Sequence, residues 1–227
     1  MQASDWFEAQ FAYRFRRPEL LETALTHSSA GSDHNERLEF IGDAVLNFVI
    51  AISVYERRPA DHEGTLSRLR ASLVKGSSLA ALAAGLALGE QIALGPGELK
   101  SGGFQRRSIL ANTLEALLGA VYLDGGFEAA ERCIHRLFAD QLAALPDAAT
   151  LMDSKTRLQE HLQARGLGLP VYELGQVSGR AHEQTFEVAC IVAGLGLQGQ
   201  GSGTSRQRAE QAAAGRVLED IIAHKPG

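Results

Sequence analysis

The chain has 227 residues, enough for one large domain or a mid-sized domain followed by a small one. Hydrophobic residues make up 45% and charged residues 22%, an ordinary globular balance, and two distant cysteines (Cys133, Cys190) exclude a disulfide framework or a thiolate metal site and suit a reducing cytosol. The net charge of −5 leaves no overall basic footprint: residues 1–150 hold 14 Lys+Arg against 19 Asp+Glu, and residues 151–227 hold 8 against 8, so any phosphate contact must come from local placement.

The N-terminal segment carries Asp5 and Glu8 and no apolar core, which excludes a signal peptide. Up to about residue 145 the chain reads as successive helices. Apolar residues recur at three- and four-residue spacing through Leu38, Ile41, Val45, Phe48 and Ile52, then Leu66, Leu69 and Leu73, then Leu110, Leu114, Leu117 and Val121. Turn chemistry separates them at Arg58-Pro59, Gly95-Pro96-Gly97, Gly102-Gly103 and Asp124-Gly125-Gly126. The longest apolar runs, Val45–Val54 and Leu79–Leu88, are too short to span a bilayer. A proline-bearing connector near residues 144–150 marks the boundary, giving a helical domain over 1–146, a linker over 147–153 and a second domain over 154–227. The second domain opens with an amphipathic helix from Ser154, its N-cap, to Arg165. Strand-like segments follow at Val171–Val177, Thr185–Ile191 and, more weakly, Leu197–Gly201. A final helix from Thr204 to about His224 has Ala212, Ala213, Val217 and Ile221 as its inner face. The predicted fold is therefore α+β in two domains, an all-α domain and then an α-β-β-β-α module.

The most informative stretch is Asn35 to Asp43. Glu39 and Asp43 are four apart, about 40° around a helix and roughly 6 Å along it. Glu36 lies one turn earlier, where a helix-start role beside Asp33 explains it equally well. A second helix carries Asn112 and Glu115 three apart. Two carboxylates about 4 Å apart repel by roughly 4 kcal/mol at an effective dielectric of 20, so the pair needs a cation, a shared proton or a basic partner. Oxygen ligands without nearby Cys or His favour Mg²⁺ or Mn²⁺. No Glu-x-x-His pair occurs, which excludes the pattern of a di-iron carboxylate bundle.

NERLEFIGDAVL at 35–46 resembles the signature helix of the bacterial ribonuclease III family. THSS at 26–29, EGTLSRLRASLV at 63–74, LGPGELKSGG at 94–103, ILANTLEALLGAVYLD at 109–124 and KTRLQEHLQ at 155–163 extend the resemblance in order. It implies a cytoplasmic homodimer of helical nuclease domains that hydrolyses double-stranded RNA with Mg²⁺, or Mn²⁺ in its place. No small-molecule cofactor and no membrane are implied. The products would carry 5′-phosphate and 3′-hydroxyl ends with short 3′ overhangs, and the substrates would be ribosomal RNA precursors and structured messages. By matched position Glu39, Asp43, Asn112 and Glu115 would hold the metal, with Asp43 and Glu115 catalytic and Glu36 and Glu63 accessory. Asn112 stands where Asp is common in the family; it lowers the quartet's formal charge from −4 to −3 and leaves a non-catalytic RNA binder as the rival reading.

The second domain resembles a double-stranded RNA-binding domain, which reads duplex shape over about 16 bp. Matched positions are Gln159 and Gln163 on the first helix, Arg180 and His182 in the loop between the first two strands, and Thr204, Ser205, Arg206 and Arg208 at the start of the last helix. Gln207 stands where many relatives have another basic residue. The Gly95–Gly103 stretch lacks the spacing of a phosphate loop. His27-Ser28 lacks a third member for nucleophilic catalysis, so packing or hydrogen bonding is the better reading of His27.

Overall fold

In the computed structural model residues 3–147, 152–180 and 184–223 are described, and the chain divides into two compact units, Met1–Pro146 and Asp147–Gly227. Most of the expected linker (148–151), His182 in its loop and the end of the last helix at His224 lie outside the described residues.

The first unit is helical: α1 Ala3–Phe11, α2 Pro18–Leu25, α3 Glu36–Arg57, α4 Glu63–Val74, α5 Gly76–Gly85, α6 Pro96–Lys100, α7 Arg107–Gly125, α8 Phe127–Leu137 and α9 Ala139–Ala143. Its centre is α7, buried almost all round from Ile109 to Val121, which marks a core helix rather than a surface one. Against it lies α3. Leu46, Leu114, Leu117 and Leu118 are completely buried, each side chain contributing roughly 1.5–3 kcal/mol relative to exposure.

The buried stripe of α3 differs from the one expected. Leu38, Gly42, Leu46, Val49, Ile50, Ser53 and Val54 face inward, whereas Phe48 and Ile52 are exposed. The helix carries two apolar stripes, and one chain covers only one of them. By length and mean hydropathy α3 is also the one described helix that could cross a membrane. Its packing against α7, α4 and α8, and the charges at Glu36, Arg37, Glu39, Asp43, Glu56 and Arg57, identify it as the core helix of this unit.

The N-terminal segment is tied to the end of α7. Asp124, its side chain fully buried, accepts hydrogen bonds from the Tyr13 hydroxyl (2.6 Å) and from the backbone N–H groups of Arg16 (2.9 Å) and Arg17 (3.0 Å). These donors hold its carboxyl below the usual aspartate range despite the burial that opposes it. Trp6, Phe7 and Phe11 on α1 are buried beside this tether.

The second unit runs α10 Ser154–Gln163, β1 Val171–Ser178, β2 Thr185–Val192, β3 Leu197–Gly203 and α11 Arg206–Ala223. The sheet is antiparallel in the order β1-β2-β3, with Val171 opposite Ile191, Val192 opposite Leu197, and a register shift between Leu174 and Val177. Both helices pack on one face over Leu158, Leu162, Cys190, Val192, Ala213, Ala214, Val217, Leu218 and Ile221. Two local expectations shift by one or two residues. Asp153, not Ser154, caps α10, accepting from Thr156 N–H at 2.9 Å. Ala212 is exposed and Ala214 takes its place in the core.

Candidate active site and RNA-contacting face

Two glycines bring the acidic residues together. A Cβ placed on Gly42 would lie 1.8 Å from the carbonyl oxygen of Glu115, and one on Gly119 would lie 2.2 Å from that of Leu38. At this crossing α3 and α7 touch backbone to backbone. Glu39 and Asp43 flank Gly42 on α3, and Glu115 and Asn112 sit directly across on α7. Asn35, nearly fully buried before α3, donates to Thr113 Oγ1 at 3.3 Å and locks the register of the two helices.

The electrostatics are those of an uncompensated acidic cluster. Burial pushes the Glu115 carboxyl up to about 7, and the charges of Asp43 and Glu39 push the same way. Glu39 is also raised, chiefly by burial; the Asn112 amide, hydrogen-bonded to it, opposes that shift, while Glu36 and Asp43 add to it. Among the described residues no ion pair involves Glu39, Asp43 or Glu115. Asp43 is exposed, and its Oδ1 accepts from Asn47 Nδ2 at 2.8 Å. Asn47 was not singled out in the sequence, although its place one turn beyond Asp43 is the signal that could have found it. The donors are all oxygens, as a hard divalent cation requires. Among the described residues no group of three His, Cys, Asp or Glu side chains is gathered closely enough to hold a metal as it stands.

The accessory acids separate. Glu36 is exposed at the start of α3, 3.9 Å from His34 Nδ1, and the N-cap, Asn35, makes no side-chain capping bond, so the capping arrangement with Asp33 does not form. Glu63 begins α4, accepts from Ser67 Oγ at 2.8 Å, and lines an apolar groove with Phe48, Ile52 and Tyr55 rather than the acidic crossing. That groove continues the uncovered stripe of α3, where Phe40 is 79%, Phe48 56% and Tyr55 68% exposed. On the Glu39 side of the crossing, a cleft of about 100 Å³ is bounded by His27, Ser28, Ser108 and Asn112.

In the second unit Gln159 and Gln163 are exposed one turn apart on α10, and Arg180 is exposed after β1. At the start of α11 the Ser205 hydroxyl accepts from Arg208 N–H (3.3 Å), and the Arg208 guanidinium donates to Thr204 Oγ1 (3.2 Å). Arg206 turns to Glu210, 2.9 Å away, which also binds Lys155 Nζ at 2.5 Å; Lys155 in turn lies over the Tyr172 ring. The Lys155 bond is the main cause holding Glu210 below the usual glutamate range. The Lys155–Glu210 link between α10 and α11 escaped sequence reasoning because the two residues are far apart in the chain.

Residues 17–142 match the family described as Ribonuclease-III-like, and residues 154–221 match the Double-stranded RNA binding motif. Ribonuclease 3 of Alkalilimnicola ehrlichii is 54% identical over 217 residues, covering 96% of this chain and 95% of its own. Ribonuclease 3 of Vibrio vulnificus is 51% identical over 212 residues, covering 93% and 94%. Among solved structures, the nuclease domain of Campylobacter jejuni ribonuclease III superposes with a TM-score of 0.59 at 42% identity, covering 62% of this chain and 97% of that one.

Proposed function

The chain belongs to the ribonuclease III family, and from that premise we propose that it is an endoribonuclease that hydrolyses double-stranded RNA with a divalent cation. The observation that carries the reading is the crossing at Gly42 and Gly119, which Glu39, Asp43 and Glu115 flank with no ion-pair partner among the described residues, their burial and mutual repulsion raising the cost of charge. On this reading residues 1–146 are the nuclease domain, 147–153 the linker and 154–227 the RNA-binding domain, and the enzyme works in the cytoplasm.

Glu39, Asp43, Glu115 and Asn112 would hold the cation, Mg²⁺ or Mn²⁺ by the chemistry of their oxygens. Bound there, it supplies Lewis acidity toward the phosphodiester. The protein's own residues do the positioning. Asn47 orients the Asp43 carboxylate and Asn112 that of Glu39, and the burial that raises the Glu115 carboxyl in the metal-free site favours a cation as its counter-charge. The products are taken to carry 5′-phosphate and 3′-hydroxyl ends, and ribosomal RNA precursors and structured messages are the expected substrates.

The second unit supplies duplex binding. Thr204 and Ser205 order the first turn of α11, so that its N–H groups and Arg208 face a phosphate together. Gln159 and Gln163 suit hydrogen bonding in the shallow minor groove.

The functional unit is a homodimer. The exposed stripe of Phe40, Phe48, Ile52 and Tyr55 on the central helix is an apolar surface that a second copy would cover. A further structure of the Campylobacter jejuni nuclease domain is described for flexibility in a region involved in dimer formation, which supports this assignment.

The test is cleavage of an end-labelled RNA duplex in EDTA, Mg²⁺ or Mn²⁺, alongside Glu115→Ala. Metal-dependent cuts on both strands, abolished by the substitution, are the expected result. Binding without cutting in any metal would replace the nuclease with an RNA-binding protein.

A further inference from the structure

His27 is held more firmly than its place near the surface requires. Its backbone N–H donates to Ala93 O at 3.0 Å, and its carbonyl accepts from Ala30 N–H at 2.8 Å. Its ring Nδ1 lies 3.2 Å from Ser29 N and 2.8 Å from Ser29 Oγ, and that hydroxyl is itself fixed by Gly95 N–H at 2.9 Å. The contact beneath is tight, since a Cβ on Gly95 would lie 2.1 Å from Ser29 O. The backbone N–H of Ser29 can only donate, so Nδ1 accepts and the ring proton sits on Nε2. Among the described residues nothing accepts from Nε2.

The ring is only half-buried, so apolar packing does not account for this bracing. It lines the cleft shared with Ser28, Ser108, Glu39 and Asn112. A phosphate drawn toward the carboxylates of the crossing meets negative charge from α3 and α7, and on this side it meets a donor whose direction is fixed in advance. Preorganised donors of this kind stabilise phosphate oxygens without reorganising when the substrate arrives.

We infer that His27 is an RNA-contacting residue of the nuclease domain, donating from Nε2 to a non-bridging oxygen of the phosphate at the cleavage site, with Ser29 as the residue that positions its ring. The inference rests on the nuclease reading above.

The test uses the full chain and two readouts. In single-turnover cleavage, His27→Ala slows the reaction roughly ten- to hundredfold, Ser29→Ala has a smaller effect in the same direction, and His27→Gln, which keeps an N–H donor, recovers part of the rate. In a Glu115→Gln background that leaves the duplex intact, His27→Ala weakens binding in Mg²⁺ roughly three- to tenfold by fluorescence anisotropy. A methylphosphonate at the cleavage position replaces one non-bridging oxygen by methyl, and on the diastereomer that loses the contacted oxygen His27→Ala costs nothing further in binding. Thermal melts of every variant accompany the assays. Unchanged cleavage and binding, a loss that follows a fall in melting temperature, or an equal loss on both duplexes each overturns the inference while the nuclease reading stands. Failure of the unsubstituted chain to cut removes both.

Discussion

Gly42 and Gly119 face each other where α3 crosses α7, each so close to the opposite backbone that neither can carry a side chain. Glu39, Asp43 and Glu115 flank this contact, so the separation of the helices sets the separation of the carboxylates. Gly42→Ala forces its methyl into Glu115 O and should cost about 3 kcal/mol or more, beyond ordinary overpacking because the obstacle is backbone. Urea denaturation measures it, and a variant as stable as the parent would contradict the close approach.

The raised Glu115 carboxyl makes the metal-free protein pH-sensitive. With a folded value of about 7 against 4.5 for an ordinary glutamate, the folded state binds more protons than the unfolded one between those limits. Stability therefore falls as pH rises from 4.5 to 7, and Glu39 acts in the same direction. The depressed Asp124 works oppositely, losing its stabilisation as pH falls, but only below the ordinary aspartate value of 3.8. In EDTA the melting temperature should decline between pH 5 and 7, with the decline reduced in Glu115→Gln; parallel profiles would argue against the shift.

Asn112 contributes an amide where a charged ligand would bind a cation more strongly. Asn112→Asp should lower the Mg²⁺ concentration for half-maximal cleavage by about tenfold, the equivalent of roughly 1.4 kcal/mol. Superimposable metal titrations of the two proteins would remove Asn112 from the site.

The uncovered stripe on α3 gives a prediction of a different kind. Replacing Phe48 and Tyr55 together by Asp should shift the protein from dimer to monomer in sedimentation equilibrium, because each charge would be buried unpaired at the interface. A parent chain that is already monomeric at micromolar concentration would refute the dimer directly.

Gln207 is exposed between Arg206 and Arg208 at the start of α11. Gln207→Lys should tighten duplex binding and steepen the plot of log affinity against log salt by about 0.9, the contribution of one neutralised phosphate. An unchanged slope would place this turn away from the RNA.

Element order and type were legible because the apolar periods are strong: α3, α7 and the three strands stand close to where the pattern puts them. The acidic residues were legible because four-residue spacing places Glu39 and Asp43 on one side of a helix whatever it packs against. The buried side of α3 was not, because Phe48 and Ile52 are as apolar as Leu46 and Val49 and periodicity cannot tell a core stripe from an interface stripe. Contacts between distant positions were equally hidden. Asn35 with Thr113, Lys155 with Glu210 and Gly42 with Glu115 are tertiary pairings that no local pattern encodes. The shift of the α10 cap from Ser154 to Asp153 is a competition between neighbouring side chains for the same N–H groups.

The Asp124 tether reaches beyond its own hydrogen bonds. Its three donors come from Tyr13, Arg16 and Arg17, and the aromatic cluster of Trp6, Phe7 and Phe11 lies further upstream. The match to the family model begins at residue 17. A polypeptide cut to the matched span would keep Glu39, Asp43 and Glu115 yet leave a sequestered carboxylate short of donors at the far end of α7, the helix that carries Glu115. Tyr13 and Arg16 thus act on the far end of α7 from outside the span that the family model matches, and removing them takes two of the three donors from Asp124.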